Sequence, residues 1–162
     1  MKSNTIKLTK EHRLEATKGA CMSHEKYVNH WKKKSNFYNW FTGYHGEAGY
    51  FQFLGKKYTY THYVNTGDGG LDGKDFQIKT ITKEDAPLSI KVDDNCLKNK
   101  KVKYIVLVYF PEDKHGTEVV IKGKITVKDF KNKATPISFK EKDGSVTKKL
   151  YITQNKLTSC LS

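Results

Sequence analysis

The sequence predicts an α+β fold in which helices flank a central mixed sheet of four to five strands. Helix-like periodicity runs through the first third of the chain, and from Lys56 onward the pattern changes to the alternation of strands. The longest apolar run, Tyr104 to Phe110, has the length of a strand and the unbroken hydrophobicity of one that is covered on both faces. The order of helices, then sheet, then helices is typical of this fold class.

Residues 8–34 have a polar, helical pattern. Thr9 is expected to cap a short helix, because a side-chain oxygen at this position accepts a hydrogen bond from the first turn. Ser23 is expected to cap a second helix that has one apolar face. We therefore predict a single domain over residues 1–162, in which residues 1–35 form a basic helical extension.

A further helical region covers residues 36–54, and its glycines allow the helix to start as late as Gly46. Glu47 falls on the apolar side of this region, three residues after Tyr44 and four before Phe51. A carboxylate on an apolar stripe is costly unless it has a partner. Glu47 is therefore expected either to have a buried partner or to reach water at the edge of the stripe.

Strand patterns rich in aromatic and β-branched residues recur through the rest of the chain. The predicted strands cover residues 56–64, 75–82, 87–92, 102–110, 118–125 and 148–153. Thr126 is expected to cap a short helix over 127–130, with Asp129 at the capping-box position. Residues 154–161 are expected to form a last short helix.

The charge of the chain favours a polyanionic partner. Lysine and arginine total 30 against 17 aspartates and glutamates, a formal net charge of +13, and nearly all of the excess is lysine. Each phosphate that a lysine neutralises releases counterions, so we expect DNA as the partner, although lysine runs are also typical of a solvated surface. The expected phosphate contacts are Lys32, Lys33, Lys34, Lys98, Lys100 and Lys101.

A membrane is the other common polyanion, and the sequence does not favour it. No apolar run approaches the ~20 residues that span a bilayer, and no apolar segment follows the basic N-terminus. We expect no membrane partner and a cytoplasmic location, which would be the host-cell cytosol if a phage encodes the chain. Cys21, Cys96 and Cys160 are far apart, so we expect reduced thiols and no zinc or redox motif.

The glycine-rich segment TGDGGLDGKDFQIKTI carries the chemistry. Strand alternation places Gln77 and Lys79 on one face, and a tight turn that pairs Asp72 with Asp75 would set the Asp72 Cβ roughly 6–7 Å from that of Gln77. Carboxylate and neutral oxygens are the ligands of Mg²⁺, and a nearby cation stabilises the charge that develops in phosphodiester hydrolysis. We therefore expect Asp72, Gln77 and the Ile78 carbonyl to hold an ion. Lys79 points at the same ion.

The motif GDGGLDG followed by QIK resembles the PD-(D/E)XK nuclease superfamily, and most closely its Mrr-type branch, in which Gln-x-Lys replaces Glu-x-Lys. The resemblance implies an α/β restriction-endonuclease-like core and metal-dependent hydrolysis of DNA, with Mg²⁺ as the ion and Mn²⁺ as its substitute. It assigns metal binding to Asp72 and the tripeptide role to Gln77, Ile78 and Lys79. Many members also carry a glutamate on the helix before the first core strand, and Glu47 occupies that position.

Several alternatives stay open at the level of sequence. Only four residues separate Asp72 from Gln77, a shorter hairpin than the family usually has, so Asp68 is an alternative metal ligand to Asp72. The neutral Gln77 leaves room for a non-catalytic nucleic-acid-binding protein on the same fold. An RNA-directed nuclease would use the same site on another substrate. Many nucleases cut two strands as symmetric dimers, so a homodimer is expected.

Overall fold

The computed structural model describes residues 4–30, 35–60 and 72–160. The α-helices assigned in these residues are α1 (Lys10–Glu25), α2 (Phe37–Phe53), α3 (Asn95–Lys98) and α4 (Val127–Lys133). The strands are β1 (Thr5–Lys7), β2 (Phe76–Ile81), β3 (Leu88–Lys91), β4 (Tyr104–Tyr109), β5 (Glu118–Thr126), β6 (Thr135–Lys140) and β7 (Val146–Ile152). A π-helical turn, Lys26–His30, follows α1, and 3₁₀ turns cover Glu112–Lys114 and Gln154–Lys156.

A four-stranded mixed sheet in the order β1-β5-β4-β2 forms the centre of the fold. β4 pairs in parallel with β2 and antiparallel with β5, and β1 adds an antiparallel edge strand beside β5. Residues 105–108 of β4 are fully buried, and their side chains alternate between two core clusters, one on each face of the sheet. The predicted mixed sheet and its central strand covered on both faces are therefore confirmed.

A second, antiparallel sheet of three strands has the order β3-β7-β6. Its inner residues Leu88, Ile90 and Ile152 share a core cluster with Leu107 of the first sheet. The sequence predicted the strands β3 and β7 but not a separate sheet, and it did not predict β6. All residues of β6 are exposed and one of them is Pro136, so neither a buried face nor strand propensity marks this segment.

The N-terminal residues take part in the core. β1 lies in the segment that the sequence interpreted as a helical extension, and it was not predicted. α1 is one continuous helix, capped by Thr9, whose hydroxyl accepts a hydrogen bond from the His12 N–H at 3.2 Å. Ser23 lies inside α1 and caps no helix, contrary to the prediction. Its buried hydroxyl is 2.6 Å from the hydroxyl of Tyr44, so it joins α1 to α2.

Of the two C-terminal predictions, one is confirmed and the other is wrong. Thr126 caps α4 as predicted, because its hydroxyl accepts a hydrogen bond from the Asp129 N–H at 3.0 Å. The predicted helix over residues 154–161 is wrong for the residues that the structure describes there, where a 3₁₀ turn is followed by a bridge to β5. The backbone of Thr158 exchanges two hydrogen bonds with Lys124, each 2.9 Å long. Thr158 therefore bonds to the backbone of β5 instead of to a residue of the predicted helix.

Glycines set how closely α2 packs on the central sheet. The helix starts at Phe37 after the cap Asn36, so the three glycines do not delay its start to Gly46. A methyl group added at Gly46 would overlap the Thr80 side chain of β2, and one added at Gly49 would overlap Val119 of β5. These glycines therefore allow a close approach between helix and sheet, which the sequence alone did not indicate.

Replacing Gly46 with alanine is expected to lower the free energy of unfolding by about 1–3 kcal/mol, because the added methyl group has no room beside Thr80. Gly43→Ala is the matched control. It lies one turn earlier on α2 with nothing within 4 Å of the added carbon. Since alanine favours a helix interior over glycine by about 1 kcal/mol, this control is expected to be neutral or stabilising. Urea unfolding followed by circular dichroism measures both, and equal effects would contradict the packing explanation.

Candidate functional site

A cleft of about 460 Å³ lies between α2 and β2. Helix α2 contributes polar and small side chains to it, and β2 with the following turn contributes the rest. The lining includes Asn39, Thr42, Gly43, Glu47, Lys79 and Thr80. Two residues that the sequence singled out, Glu47 and Lys79, therefore border one cavity.

Asp72 is fixed to the start of β2 by its backbone and its side chain. Its N–H donates to the Phe76 carbonyl at 2.9 Å, and its Oδ2 accepts a hydrogen bond from the Ile78 N–H at 2.6 Å. The turn thus pairs Asp72 with Phe76, which corrects the predicted pairing with Asp75. The carboxylate still reaches the tripeptide Gln77-Ile78-Lys79, because it binds the backbone at the centre of it.

The backbone of Ile78 faces the same side of β2 as Asp72. The carbonyls of Asp75 and Ile81 accept hydrogen bonds from residues that begin and follow β4. In a parallel pair, alternate residues of a strand bond to the same neighbour, so Ile78, which is out of phase with these two, points away from β4. The Asp72 carboxylate and the Ile78 carbonyl therefore lie along one edge of the strand, as the sequence required of two ligands to one ion.

Gln77 has a buried acceptor that its surroundings do not satisfy. Its Oε1 has no hydrogen-bond partner, and its Nε2 makes only a long contact of 3.4 Å with the Ile78 carbonyl. A buried polar atom without a partner costs about 1–3 kcal/mol, so such an atom calls for an explanation. Gln77 lies close to the Ile78 carbonyl and the Ile78 N–H binds Asp72, so one short segment supplies an amide oxygen, a carbonyl and a carboxylate, the kinds of donor that suit Mg²⁺. The residues present therefore fit the ion that the sequence implied.

Within the three described ranges, no group of three histidine, cysteine, aspartate or glutamate side chains is arranged to hold a metal ion. A site built on Asp72 and Gln77 would depend on amide and carbonyl oxygens as well as carboxylates. Asp68, the alternative ligand, lies outside the described residues.

Lys79 is paired with a carboxylate that sequence reasoning missed. Its Nζ lies 2.9 Å from Oδ2 of Asp94, and the two side chains are 27% and 25% exposed. Asp94 also caps α3, since its Oδ1 accepts the Cys96 N–H at 2.9 Å. Burial acts to raise the pKa of Asp94, but the Lys79 ammonium and the Cys96 N–H outweigh it and lower the pKa. An aspartate just before a short helix is a capping signal, but it does not reveal a lysine partner.

The pKa of the Cys96 thiol is influenced by several of these charged groups. The side chain is fully buried, and burial together with the Asp94 carboxylate raises the pKa of this thiol to about 12. Lys79 lowers the pKa and Asp72 raises it, so three charged groups act on one sulfur atom. All three charges therefore influence the thiol, and among them Lys79 and Asp94 are in direct contact. All three cysteines are free, as expected.

Glu47 has the partner that its position on an apolar stripe required. The hydroxyl of Tyr58 donates to Glu47 Oε2 at 2.7 Å, and Tyr58 is only 4% exposed. Burial raises the pKa of Tyr58, and the charges of Glu47 and Asp72 raise it further. The tyrosine is therefore a donor at any physiological pH, and it lies within electrostatic reach of both carboxylates. Tyr58 falls in a segment that the sequence predicted as a strand, and its described residues, 56–60, are not one.

The lysines expected to contact phosphate fall into two groups. Lys98 on α3 and Lys100 and Lys101 in the turn after it are exposed and free to meet a large polyanion. The run Lys32–Lys34 lies outside the described residues, as do residues 61–64 of the predicted strand 56–64.

His45 of α2 is buried and is not among the residues that line the cleft. It is 1% exposed, and its Nδ1 donates to the Phe41 carbonyl at 2.7 Å. Burial lowers the pKa of His45, which the hydrogen bond to Phe41 only partly offsets. At the pH at which an exposed histidine begins to take up a proton, the imidazole of native His45 is therefore still neutral.

Stability is expected to fall as the pH falls below about 6.5, the pKa of a histidine in the unfolded chain. The unfolded state then binds a proton that native His45 does not, and the slope from this one group is at most about 1.4 kcal/mol per pH unit. His45→Gln removes the titration and keeps an amide donor for Phe41. Urea unfolding at pH 5.5 to 8 should show a shallower loss in this variant, and an unchanged slope would assign the effect to other histidines.

No protein-family model, curated protein or solved structure matches this chain. Within the described ranges, no helix is both long and apolar enough to cross a bilayer. The side chains around the cleft therefore carry the support for a function.

Proposed function

We propose that this chain is a metal-dependent DNA endonuclease that hydrolyses phosphodiester bonds at a site of the PD-(D/E)XK type. One observation carries the proposal: the 2.6 Å hydrogen bond from the Ile78 N–H to Asp72, which anchors a carboxylate beside Gln77, Ile78 and Lys79. The mixed four-stranded sheet with α2 packed on it is compatible with a restriction-endonuclease-like core.

Asp72, Gln77 and the Ile78 carbonyl, together with Glu47, would hold one or two Mg²⁺ ions, and Mn²⁺ would substitute. The unsatisfied Gln77 Oε1 supports metal binding, because an ion would give this buried oxygen a partner. When bound, the ion supplies charge stabilisation at the phosphate and lowers the pKa of water. Tyr58 holds Glu47 in one orientation through their hydrogen bond, which limits the reorganisation needed on binding.

Lys79 orients the attacking water, or deprotonates it after first releasing its own proton, and its ammonium form stabilises the charge that develops on the phosphate. Asp94 keeps the ammonium at the edge of the cleft while the site is empty of substrate. A phosphate that enters the cleft offers Lys79 a second anionic partner. The ammonium therefore has an anionic partner both before and after substrate binds. Asp94 acts on the reaction through Lys79 and is a positioning residue.

DNA is the substrate that the charge of the chain favours. The net charge of +13 favours long-range attraction, and the exposed Lys98, Lys100 and Lys101 follow closely after Asp94 in the chain. Two copies related by a two-fold axis would present two sites to the two strands of a duplex, so a homodimer belongs to the proposal.

A supercoiled-plasmid assay tests the proposal. We expect nicked and linear products with Mg²⁺ or Mn²⁺ and none with EDTA. Matched DNA and RNA duplexes in the same buffer decide between the DNA enzyme and the RNA-directed alternative. Intact plasmid under all metal conditions, from protein that is folded by circular dichroism, would reject the enzyme.

A non-catalytic nucleic-acid-binding protein on the same fold is the second candidate. Two observations favour it: the Lys79 ammonium is engaged by Asp94, and position 77 carries an amide in place of a carboxylate. This candidate predicts DNA binding without cleavage, and binding that is unchanged by Mg²⁺.

A further inference from the structure

The outward face of the three-stranded sheet carries aromatic rings and lysines. Lys91 of β3, Lys149 of β7 and Ile137 of β6 form one row across the sheet. Tyr151 and Phe139 lie two residues away on β7 and β6, on the same face by strand alternation. We refer to these five residues as the outer sheet face.

The outer sheet face is not part of the core. Phe139 is 42% exposed and Ile137 is 37% exposed, whereas the opposite face of the same sheet buries Leu88, Ile90 and Ile152. Burying apolar surface is favourable, so neighbouring exposed side chains such as Phe139 and Ile137 indicate a surface that a ligand can cover. The apolar atoms are therefore available to a ligand.

The two lysines of this face repel each other. Lys91 and Lys149 are directly opposite in the antiparallel pair of β3 and β7, an arrangement that destabilises a sheet when the charges are alike. Neither forms an ion pair with a carboxylate in the described part of the chain. An anion between them would remove the repulsion. Glu141 of the β6–β7 hairpin accepts a hydrogen bond from Thr147, which is paired with Phe139, so this carboxylate lies at the Phe139 end of the face and does not contact either lysine.

The rings and the cations are arranged together. Lys149 Nζ lies 5.5 Å from the centroid of the Phe139 ring, within the range of a cation–π contact. Tyr151 follows Lys149 by two residues, which is about 7 Å along a strand. Ring, cation and ring therefore alternate along the face, the combination with which sheet surfaces bind unpaired nucleotides.

We propose that the outer sheet face binds single-stranded DNA. Phe139 and Tyr151 stack on bases, and Lys91 and Lys149 contact the phosphates between them. An unpaired strand fits better than a duplex, because a duplex keeps its bases stacked on each other and offers no faces to the two rings. The choice of DNA over RNA rests on the proposed function, whereas the binding site itself does not.

A second copy of the chain could instead pair with the exposed edge of β6, but two features argue against it. Pro136 is the second residue of that edge strand and has no N–H to donate, a device that protects sheet edges from pairing. Two copies would also bring more lysines together on an already basic hairpin. A polyanion relieves that charge, and a second copy adds to it.

The test is fluorescence anisotropy with a labelled single-stranded DNA oligonucleotide, using the full chain in EDTA so that no cleavage occurs. Phe139→Ala is expected to raise Kd by about 5- to 150-fold, the size of one lost base–ring stack. Lys149→Gln is expected to reduce the slope of log Kd against log salt by about 0.7. Duplex DNA and RNA of the same sequence are expected to bind more weakly.

Matched controls lie on the opposite face of the same hairpin. Lys148→Gln removes the same charge from the neighbouring exposed lysine, and Val146→Ala truncates a side chain that is 60% exposed. Both should leave Kd within about twofold. Thermal unfolding of each variant checks that the sheet is intact, and light scattering reports the oligomeric state.

Three results would overturn the proposal: no binding of single-stranded DNA by the wild-type chain, equal loss in Lys148→Gln and Lys149→Gln, or a dimer that Phe139→Ala dissociates. Tighter binding of RNA would overturn the choice of DNA. These outcomes are separate from the plasmid assay, because a chain that binds the oligonucleotide and cuts no plasmid keeps the binding face and loses only the nuclease.

Discussion

Lys79→Ala is expected to reduce the rate of plasmid cleavage by about 100- to 1000-fold, the usual cost of removing one group that stabilises transition-state charge. The expected loss is large because Lys79 is the only lysine that both lines the cleft and neighbours the Asp72 anchor in the described residues. Single-turnover cleavage at saturating protein measures the chemical step, so a change in DNA affinity does not mask the effect.

A matched variant separates the catalytic role from simple loss of charge. Lys114→Ala removes one positive charge from an exposed 3₁₀ turn that does not line the cleft, and it should cleave at a rate close to that of the wild type. Lys79→Ala also leaves Asp94 without its ion pair, so its stability must be measured beside its activity. If a folded Lys79→Ala protein cleaves as fast as Lys114→Ala, the proposed role of the ammonium is wrong.

Local signals explain what the sequence predicted correctly. The face shared by Gln77 and Lys79 follows from strand alternation, and the caps Thr9 and Thr126 follow from the chemistry of a helix's first turn. The burial of β4 follows from its unbroken apolar run. Each of these signals is complete within about ten residues, so no knowledge of the fold is needed.

Contacts between distant segments explain what it missed. The partner of Lys79 is 15 residues away and follows a strand that belongs to the other sheet. A buried partner for Glu47 was one of two alternatives that the sequence left open, and it did not indicate that Tyr58, 11 residues away, would be that partner. Ser23 has the sequence signal of a cap and is used instead to join two helices. In each case a tertiary contact overrides the local preference of the residue.

The separation of the second sheet from the first has the same cause. β3 and β7 carry ordinary strand patterns, and nothing in those patterns tells which strands pair. β6 has no buried side chain to mark it. Its exposed Phe139 and Ile137 become informative only when the register with β7 shows which residues lie beside them.

Asp72→Asn is expected to abolish metal-dependent cleavage while leaving the fold nearly as stable as that of the wild type. The asparagine oxygen can still accept the Ile78 N–H, so the anchor to β2 changes only from a charged to a neutral hydrogen bond, at a cost of about 0.5–1.5 kcal/mol. The lost charge removes a direct ligand, so Mn²⁺ affinity should fall by more than the roughly 10- to 100-fold that loss of an outer partner costs. Titration calorimetry with Mn²⁺ and urea unfolding measure the two effects separately.

Asp72→Ala and Asp68→Asn complete the comparison. Alanine leaves the Ile78 N–H unpaired, so it should lose about 1–3 kcal/mol more stability than asparagine while cleaving no worse. Asp68→Asn removes the same charge from the competing aspartate of the motif. If Asp68→Asn loses Mn²⁺ affinity and Asp72→Asn keeps it, Asp68 is the ligand, and Asp72 serves only to hold the backbone of β2. A fall in both would mean that two carboxylates of the motif share the ion, because each supplies charge that the neutral Gln77 does not.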